Sequence, residues 1–76
     1  MAQIVKNALD IGTLLKQARK ESGLTQADLA LVAGTGNRVI VEAERGKPTT
    51  QIDILLHLIH MVGLDVVIQK KGSDKP

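Results

Sequence analysis

Glycine residues divide this chain into short segments, and that division restricts its possible folds more than any other feature. The segments are bounded by Gly23, Gly34, Gly36, Gly46 and Gly63. Within them, apolar residues recur at the three- and four-residue spacing of amphipathic helices. We therefore predict one mainly helical domain, a bundle of four to five short helices over residues 7–63, preceded by an N-terminal arm at residues 1–6.

Capping residues predict where the first two helices begin. Asn7 is a good N-cap for a first helix that ends at Gly23, because glycine favours helix termination. Thr25 is expected to cap a second, shorter helix. Thr25 and Asp28 approximate a capping box, in which the side chain of each residue binds the backbone N–H of the other.

Two further helices follow the glycine-containing break at residues 34–36. The third is predicted from about Asn37 to Arg45, because the Gly-Lys-Pro sequence after Arg45 prevents its continuation. Thr49 or Thr50 is expected to cap a fourth helix, which ends at Gly63.

The chain contains no Cys, Phe, Trp or Tyr in its 76 residues. Its core must be built from Ile, Leu, Val, Ala and Met, and disulfides, thiolate metal sites and cysteine nucleophiles are excluded. Base stacking on aromatic rings, the usual basis of single-strand and RNA-sheet recognition, is excluded as well. The net charge of +2 permits binding to nucleic acid without requiring it.

Residues 64–70 are rich in β-branched side chains and partly alternating, which predicts a strand. A single strand leaves its backbone groups unpaired. Its partner is therefore either residues 3–6 of the same chain or the same strand of a second copy. Residues 71–76 are expected to form a flexible tail.

The fourth helix is apolar over an arc of about 220°, whereas a surface helix needs about 100°. It is either a central helix buried within one chain or part of a contact between two chains. A chain of this size has too little protein to cover so wide a face, so we expect a homodimer. The expected interface residues are Ile54, Leu58, Met61, Leu64, Val66, Val67 and Ile68.

The second and third helices have the arrangement of a helix-turn-helix, in which the first helix crosses the DNA backbone and the second enters the major groove. A helical wheel places Ile40, Ala43 and Glu44 on one face of the third helix. The opposite face carries Asn37, Arg38, Val41, Glu42 and Arg45. Amide, guanidinium, carboxylate and methyl groups are the side-chain groups that read base edges. The alternative is an ordinary solvated polar face.

The sequence LKQARKESGLTQADLA at residues 15–30, followed by Ile40 and EAERGKP at residues 42–48, resembles the XRE/Cro family of bacterial and phage helix-turn-helix regulators. The resemblance covers about residues 7–64 and implies a lambda-repressor-like fold. Within that family, the chain is most similar to the HipB-type antitoxins, including the Y4mF-like group. Those proteins are small homodimers that bind operator DNA and a HipA-type kinase toxin, and their C-terminal strands pair between subunits.

The resemblance also implies roles for individual residues. Asn37 and Arg38 stand at the main base-contact positions, and Arg19 and Glu44 match an internal ion pair. The expected groove-facing set is Asn37, Arg38, Val41 and Glu42. The expected phosphate contacts are Gln26, Thr35, Gly36, Arg45 and Lys47.

This sequence departs from the family pattern at three positions. Ala43 is smaller than the usual residue, so it thins the core. Gly36 replaces a polar side chain and leaves only its N–H for a phosphate. Glu42 repels phosphate unless it meets a base donor.

The remaining sequence features indicate neither a metal site nor a catalytic site. His57 and His60 are spaced like metal ligands, but no Cys or third His accompanies them, so we expect an exposed polar edge and no metal. We expect no enzyme activity, cofactor or small-molecule substrate, because no nucleophile–base arrangement or phosphate loop is present. We found no signal peptide or membrane-spanning segment, so we expect a bacterial cytoplasmic protein that acts at the nucleoid.

Three functions remain open at this stage. The first is a sequence-specific repressor that also serves as the antitoxin of a HipA-type kinase. The second is a protein-interaction module that chiefly neutralises the toxin and binds DNA weakly. The third is a stand-alone repressor of the phage type.

Overall fold

The computed structural model describes residues 3–71 and contains four helices in that part of the chain. They are α1 (Ala8–Glu21), α2 (Gln26–Ala33), α3 (Asn37–Glu44) and α4 (Ile52–Met61). The prediction of a mainly helical bundle is confirmed. All of the expected flexible tail except Lys71 lies outside the described residues, as do the first two residues of the expected N-terminal arm. No helix between residues 3 and 71 is long and apolar enough to cross a membrane.

The first two helices begin at the predicted capping residues. The Asn7 side chain accepts a hydrogen bond from the backbone N–H of Asp10 at 2.9 Å. Thr25 Oγ1 accepts from the N–H of Asp28 at 3.0 Å, and Asp28 Oδ2 accepts from the N–H of Thr25 at 3.0 Å. These bonds satisfy backbone donors that the first turn of a helix otherwise leaves unpaired.

The predicted cap of the fourth helix is wrong. Gln51 occupies the N-cap position of α4 and makes no capping hydrogen bond. Thr50 instead closes the preceding turn, because its hydroxyl donates to the carbonyl of Lys47 at 3.0 Å. The hydroxyl that was predicted to cap α4 is therefore engaged in this turn.

The core contains one fully enclosed side chain from each helix. Leu15, Leu29, Ile40 and Leu58 are each 0% exposed. Burying each of these aliphatic side chains stabilises the fold by about 1.5–3 kcal/mol. Leu58 was therefore wrongly predicted as a dimer-interface residue. It belongs to the core of the single chain and has no surface left for a second copy.

Gly12 allows α1 and α3 to approach each other closely, a role that the sequence analysis did not detect. A Cβ atom at Gly12 would lie 2.6 Å from the carbonyl oxygen of Ala43 and 2.7 Å from that of Glu44. Real Cβ atoms do not come this close to backbone oxygens. The absent side chain therefore allows α1 to pack directly on the C-terminal turn of α3.

Residues 64–70 form no strand within the described chain, and they make no ladder with residues 3–6. Of the two pairings considered, the one within a single chain is therefore not formed. Side chains in this segment stay exposed, including Val66 at 52%, Val67 at 76% and Ile68 at 93%. A strand requires a neighbour for its backbone groups, and one chain does not supply it.

Candidate nucleic-acid interface

α2, a three-residue turn and α3 form one compact unit. Gly34 ends α2 with a φ of 73°, a left-handed conformation that suits glycine. The N–H of Thr35 then donates to the carbonyl of Ala30 at 3.0 Å, which closes the end of α2. Gly36 stands at the N-cap of α3. The turn thus directs α3 across α2, as in a helix-turn-helix.

α3 has one face in the core and one face in solvent. Ile40, Ala43 and Glu44 are buried, whereas Asn37 and Arg38 are exposed. The helical wheel predicts this division, although Val41 and Glu42, which it also places on the outer face, are half-buried. Exposed amide and guanidinium groups on one helix face are available for a ligand.

A buried ion pair fixes the inner face of α3. Arg19 donates through Nε to Glu44 Oε2 at 2.5 Å and through Nη2 to Glu44 Oε1 at 3.1 Å. Arg19 Nη1 donates to the carbonyl of Leu24 at 2.7 Å, and Gln26 Nε2 donates to Glu44 Oε1 at 3.2 Å. The side chains of Arg19 and Glu44 are only 7% and 3% exposed. One carboxylate therefore connects α1, the start of α2 and the end of α3.

A second charged cluster lies on the outer face of α3. Glu42 Oε2 accepts from Arg38 Nε at 3.1 Å, and Glu42 Oε1 accepts from Lys47 Nζ at 3.1 Å. Hydrogen bonds from Lys47 and then Arg38 hold the pKa of the Glu42 carboxyl below its ordinary value of 4.5. The Glu42 side chain is 29% exposed and that of Arg38 is 88% exposed.

Comparison with known proteins decides the family. The helix-turn-helix family profile matches residues 15–66, which include α2, the turn and α3. The chain belongs to the XRE-type helix-turn-helix family. An uncharacterized HTH-type transcriptional regulator, y4mF of Sinorhizobium fredii, is 44% identical over 73 residues, which cover 96% of each protein.

Solved structures of HipB share the fold. A HipB–O4 20mer complex superposes with a TM-score of 0.82 at 19% identity, covering 91% of this chain and 97% of that one. A HipA–HipB–O2–O3 complex gives the same TM-score, identity and coverage. At this level of identity the similarity establishes a common fold.

The remaining sequence-predicted contacts lie around the helix-turn-helix. Gln26 is the first residue of α2, and its amide nitrogen is engaged by Glu44. Thr35 and Gly36 form the turn into α3, and the Thr35 hydroxyl donates to the Gly36 carbonyl at 3.3 Å. Arg45, the C-cap of α3, is exposed.

His57 makes a contact that the sequence analysis did not assign. Its Nε2 lies 3.0 Å from the carbonyl oxygen of Ala33, at the C-terminal end of α2. His60 is exposed. Among residues 3–71, no group of three or more His, Cys, Asp or Glu side chains is arranged to hold a metal ion. His57 therefore links α4 to the C-terminal end of α2.

Proposed function

We propose that this chain is a sequence-specific repressor that binds double-stranded operator DNA through the outer face of α3. The observation that carries the proposal is the placement of Asn37 and Arg38. Both are exposed on a helix whose opposite face is locked into the core by the Arg19–Glu44 pair. Two similar proteins support it, since y4mF is described as an HTH-type transcriptional regulator and HipB has been solved in complex with the O4 20mer.

The chemistry of the outer face suits the major groove. Arg38 can donate two hydrogen bonds to guanine O6 and N7, and Asn37 can pair with adenine N6 and N7. Val41 offers methyl groups to thymine. Each good bidentate pair discriminates against the wrong base by about 1–3 kcal/mol. The proposed phosphate contacts, which position the protein on the duplex, come from Gln26, Thr35, Gly36, Arg45 and Lys47.

The proposed operator-binding form is a homodimer. An open groove of about 500 Å³ runs beside α1, with Ile11, Leu14 and Ile59 among the residues that line it. The exposed segment at residues 64–70 adjoins this groove and pairs with its copy from a second chain. Ile54, Met61 and Leu64 are only partly buried in one chain. Two recognition helices would then meet half-sites about 34–36 Å apart, or a multiple of that distance.

We propose that the dimer occupies its own promoter and excludes polymerase, acting in the cytoplasm at the nucleoid. We further propose that it binds a HipA-type kinase toxin. The similarity to HipB in a HipA–HipB complex supports this partner. A stand-alone repressor of the phage type has the same DNA-binding mechanism without the toxin.

A second candidate function is a toxin-binding module with weak DNA binding. The observation that favours it is the exposed apolar surface of α4, where Ile52 is 61% and Leu56 is 43% exposed. In that case α4 and residues 64–70 would contact the kinase, and the outer face of α3 would have no sequence preference.

A gel-shift titration against salt, with the duplex upstream of the chain's own gene, separates the two functions. We expect a sequence-specific shift that persists at moderate salt and weakens as salt rises. Asn37→Ala combined with Arg38→Ala should abolish the specific shift and leave the sedimentation mass unchanged. The absence of a specific shift by the unmodified chain contradicts the DNA-binding proposal.

The dimer is tested separately by removing residues 65–76. We expect the shortened chain to sediment as a monomer at low concentration, where the full chain is a dimer. If removal leaves the mass unchanged, the pairing of residues 64–70 between copies is wrong.

A further inference from the structure

Glu42 occupies an unusual position for a residue on a DNA-reading face. It carries a negative charge where phosphates and base acceptors would approach. Yet its two oxygens are each engaged, Oε2 by Arg38 and Oε1 by Lys47, both at 3.1 Å. With 29% of its side chain exposed against 88% for Arg38, Glu42 lies deeper than the guanidinium that it holds. Arg38 therefore projects further toward a ligand than Glu42 does.

The bond to Glu42 uses one particular part of the Arg38 guanidinium. A guanidinium carries five N–H donors in a fixed planar fork. Glu42 accepts a hydrogen bond from Nε, and no hydrogen bond among residues 3–71 engages Nη1 or Nη2 of Arg38. Two parallel N–H donors are what guanine O6 and N7 require. The contact to Glu42 thus leaves the guanine-reading end of Arg38 open.

Lys47 makes this arrangement stiffer. It follows α3 in the chain and binds the second oxygen of Glu42, so the carboxylate is held from both sides. A long arginine side chain loses rotamer freedom when it binds a base, and that loss opposes binding. A guanidinium that is already held in place loses less.

We propose that Glu42 is a positioning residue that orients Arg38 for reading guanine and does not itself contact a base. This inference rests on the proposed DNA binding by α3, and it identifies which residue sets the base preference there. It replaces the sequence-based expectation that Glu42 contacts a base directly. Its specific consequence is that loss of Glu42 removes the preference that Arg38 supplies, at the same base pair.

The experiment is binding selection from a pool of randomised double-stranded oligonucleotides, carried out with the full chain. The variants are Arg38→Ala, Glu42→Ala and Glu42→Gln. Both changes at Glu42 remove the same charge, but glutamine keeps an oxygen that can accept from Arg38 Nε. Asp53→Ala is the control, because it removes a carboxylate from the exposed start of α4. Thermal unfolding of each variant verifies that it is folded.

We expect Arg38→Ala to lose a guanine preference of about ten- to a hundredfold at one position of each half-site. Glu42→Ala should lose most of the preference at that same position, and Glu42→Gln should keep more of it than Glu42→Ala. The Asp53→Ala control should select the same site as the unmodified chain.

Three results would overturn the inference, and each is recognisable. If Glu42→Ala alters a position that Arg38→Ala leaves intact, Glu42 reads a base itself. If Glu42→Ala and Glu42→Gln both strengthen binding to every sequence and keep the guanine preference, Glu42 acts only through its charge. If the unmodified chain enriches no sequence at all, the proposed DNA binding fails together with the inference.

Discussion

Glu42 and Glu44 are identical residues two positions apart on α3, and their surroundings differ completely. Glu44 is buried and receives hydrogen bonds from Arg19 and Gln26. Glu42 lies on the opposite face, where Arg38 and Lys47 bind it from solvent-exposed positions. Positions two residues apart are separated by about 200° around a helix, so one carboxylate lies in the core and the other at the surface.

Under the proposed function, this difference lets one short helix serve two purposes. The inner carboxylate holds α3 in place, because a buried charge must be paired. The outer carboxylate is dispensable for the fold, because exposed ion pairs contribute little to stability. A change at one position should therefore affect unfolding, and a change at the other should affect binding.

The largest expected effect is the loss of Glu44. Glu44→Ala leaves the Arg19 guanidinium buried without its partner, which should lower the free energy of unfolding by about 3–5 kcal/mol. Glu42→Ala, the matched control two residues away, should change it by no more than about 0.5 kcal/mol. Urea titration measures both, and equal effects would contradict the division of α3 into two faces.

One double variant keeps the test decisive even if the Glu44→Ala chain does not fold. Replacing the whole ion pair, with Arg19→Met and Glu44→Leu together, removes the unpaired charge and should restore much of the stability. If the double variant is as unstable as Glu44→Ala, the buried charge is not the cause.

Gly12 provides the next largest effect, on the same inner side of α3. Gly12→Ala places a methyl group against two backbone oxygens of α3 and should cost about 1–3 kcal/mol through overpacking. Gly36→Ala is the matched control, because nothing lies within 4 Å of its added Cβ and its φ is −76°. Thermal unfolding compares the two. Equal stability of both variants would show that the close approach of α1 and α3 is unimportant.

The smallest effect concerns pH and the exposed carboxyls. Hydrogen bonds from Thr25 hold the pKa of Asp28 below 3.8, and bonds from Lys47 and Arg38 hold that of Glu42 below 4.5. A depressed folded-state pKa gives stability that is complete above the unfolded value and is lost as pH falls through the folded value. We therefore expect the midpoint temperature of thermal unfolding to decrease as the pH is lowered below about 4. Glu42→Gln should make this dependence on pH only slightly weaker. A loss of stability between pH 5 and 7 would indicate other groups.

The sequence predicted those parts of the fold that depend on local chemistry. Asn7, Thr25 and Asp28 cap helices because their side chains reach backbone N–H groups a few residues away, and such contacts need no tertiary information. The two faces of α3 follow from its periodicity in the same way. Arg19 and Glu44 lie 25 positions apart, so only the family resemblance could pair them.

The features that the sequence did not predict depend on how helices pack. Gly12 gives no local signal, because its importance arises from α3 backbone oxygens that are distant in the chain. Leu58 could face either a partner chain or the core, and its burial depends on how the helices pack around it. The Thr50 hydroxyl could either cap α4 or donate to a carbonyl in the preceding turn, and in the structure it donates to the carbonyl of Lys47.

The most direct test of the central claim, that the outer face of α3 contacts duplex DNA, is amide chemical-shift mapping. The labelled chain is titrated with a duplex obtained by the selection described above. We expect the largest shifts at residues 35–42 and 47, with small shifts at Leu15 and Leu58 in the core. Shifts confined to residues 59–67, beside the open groove, would contradict the claim, because they would place the DNA away from α3.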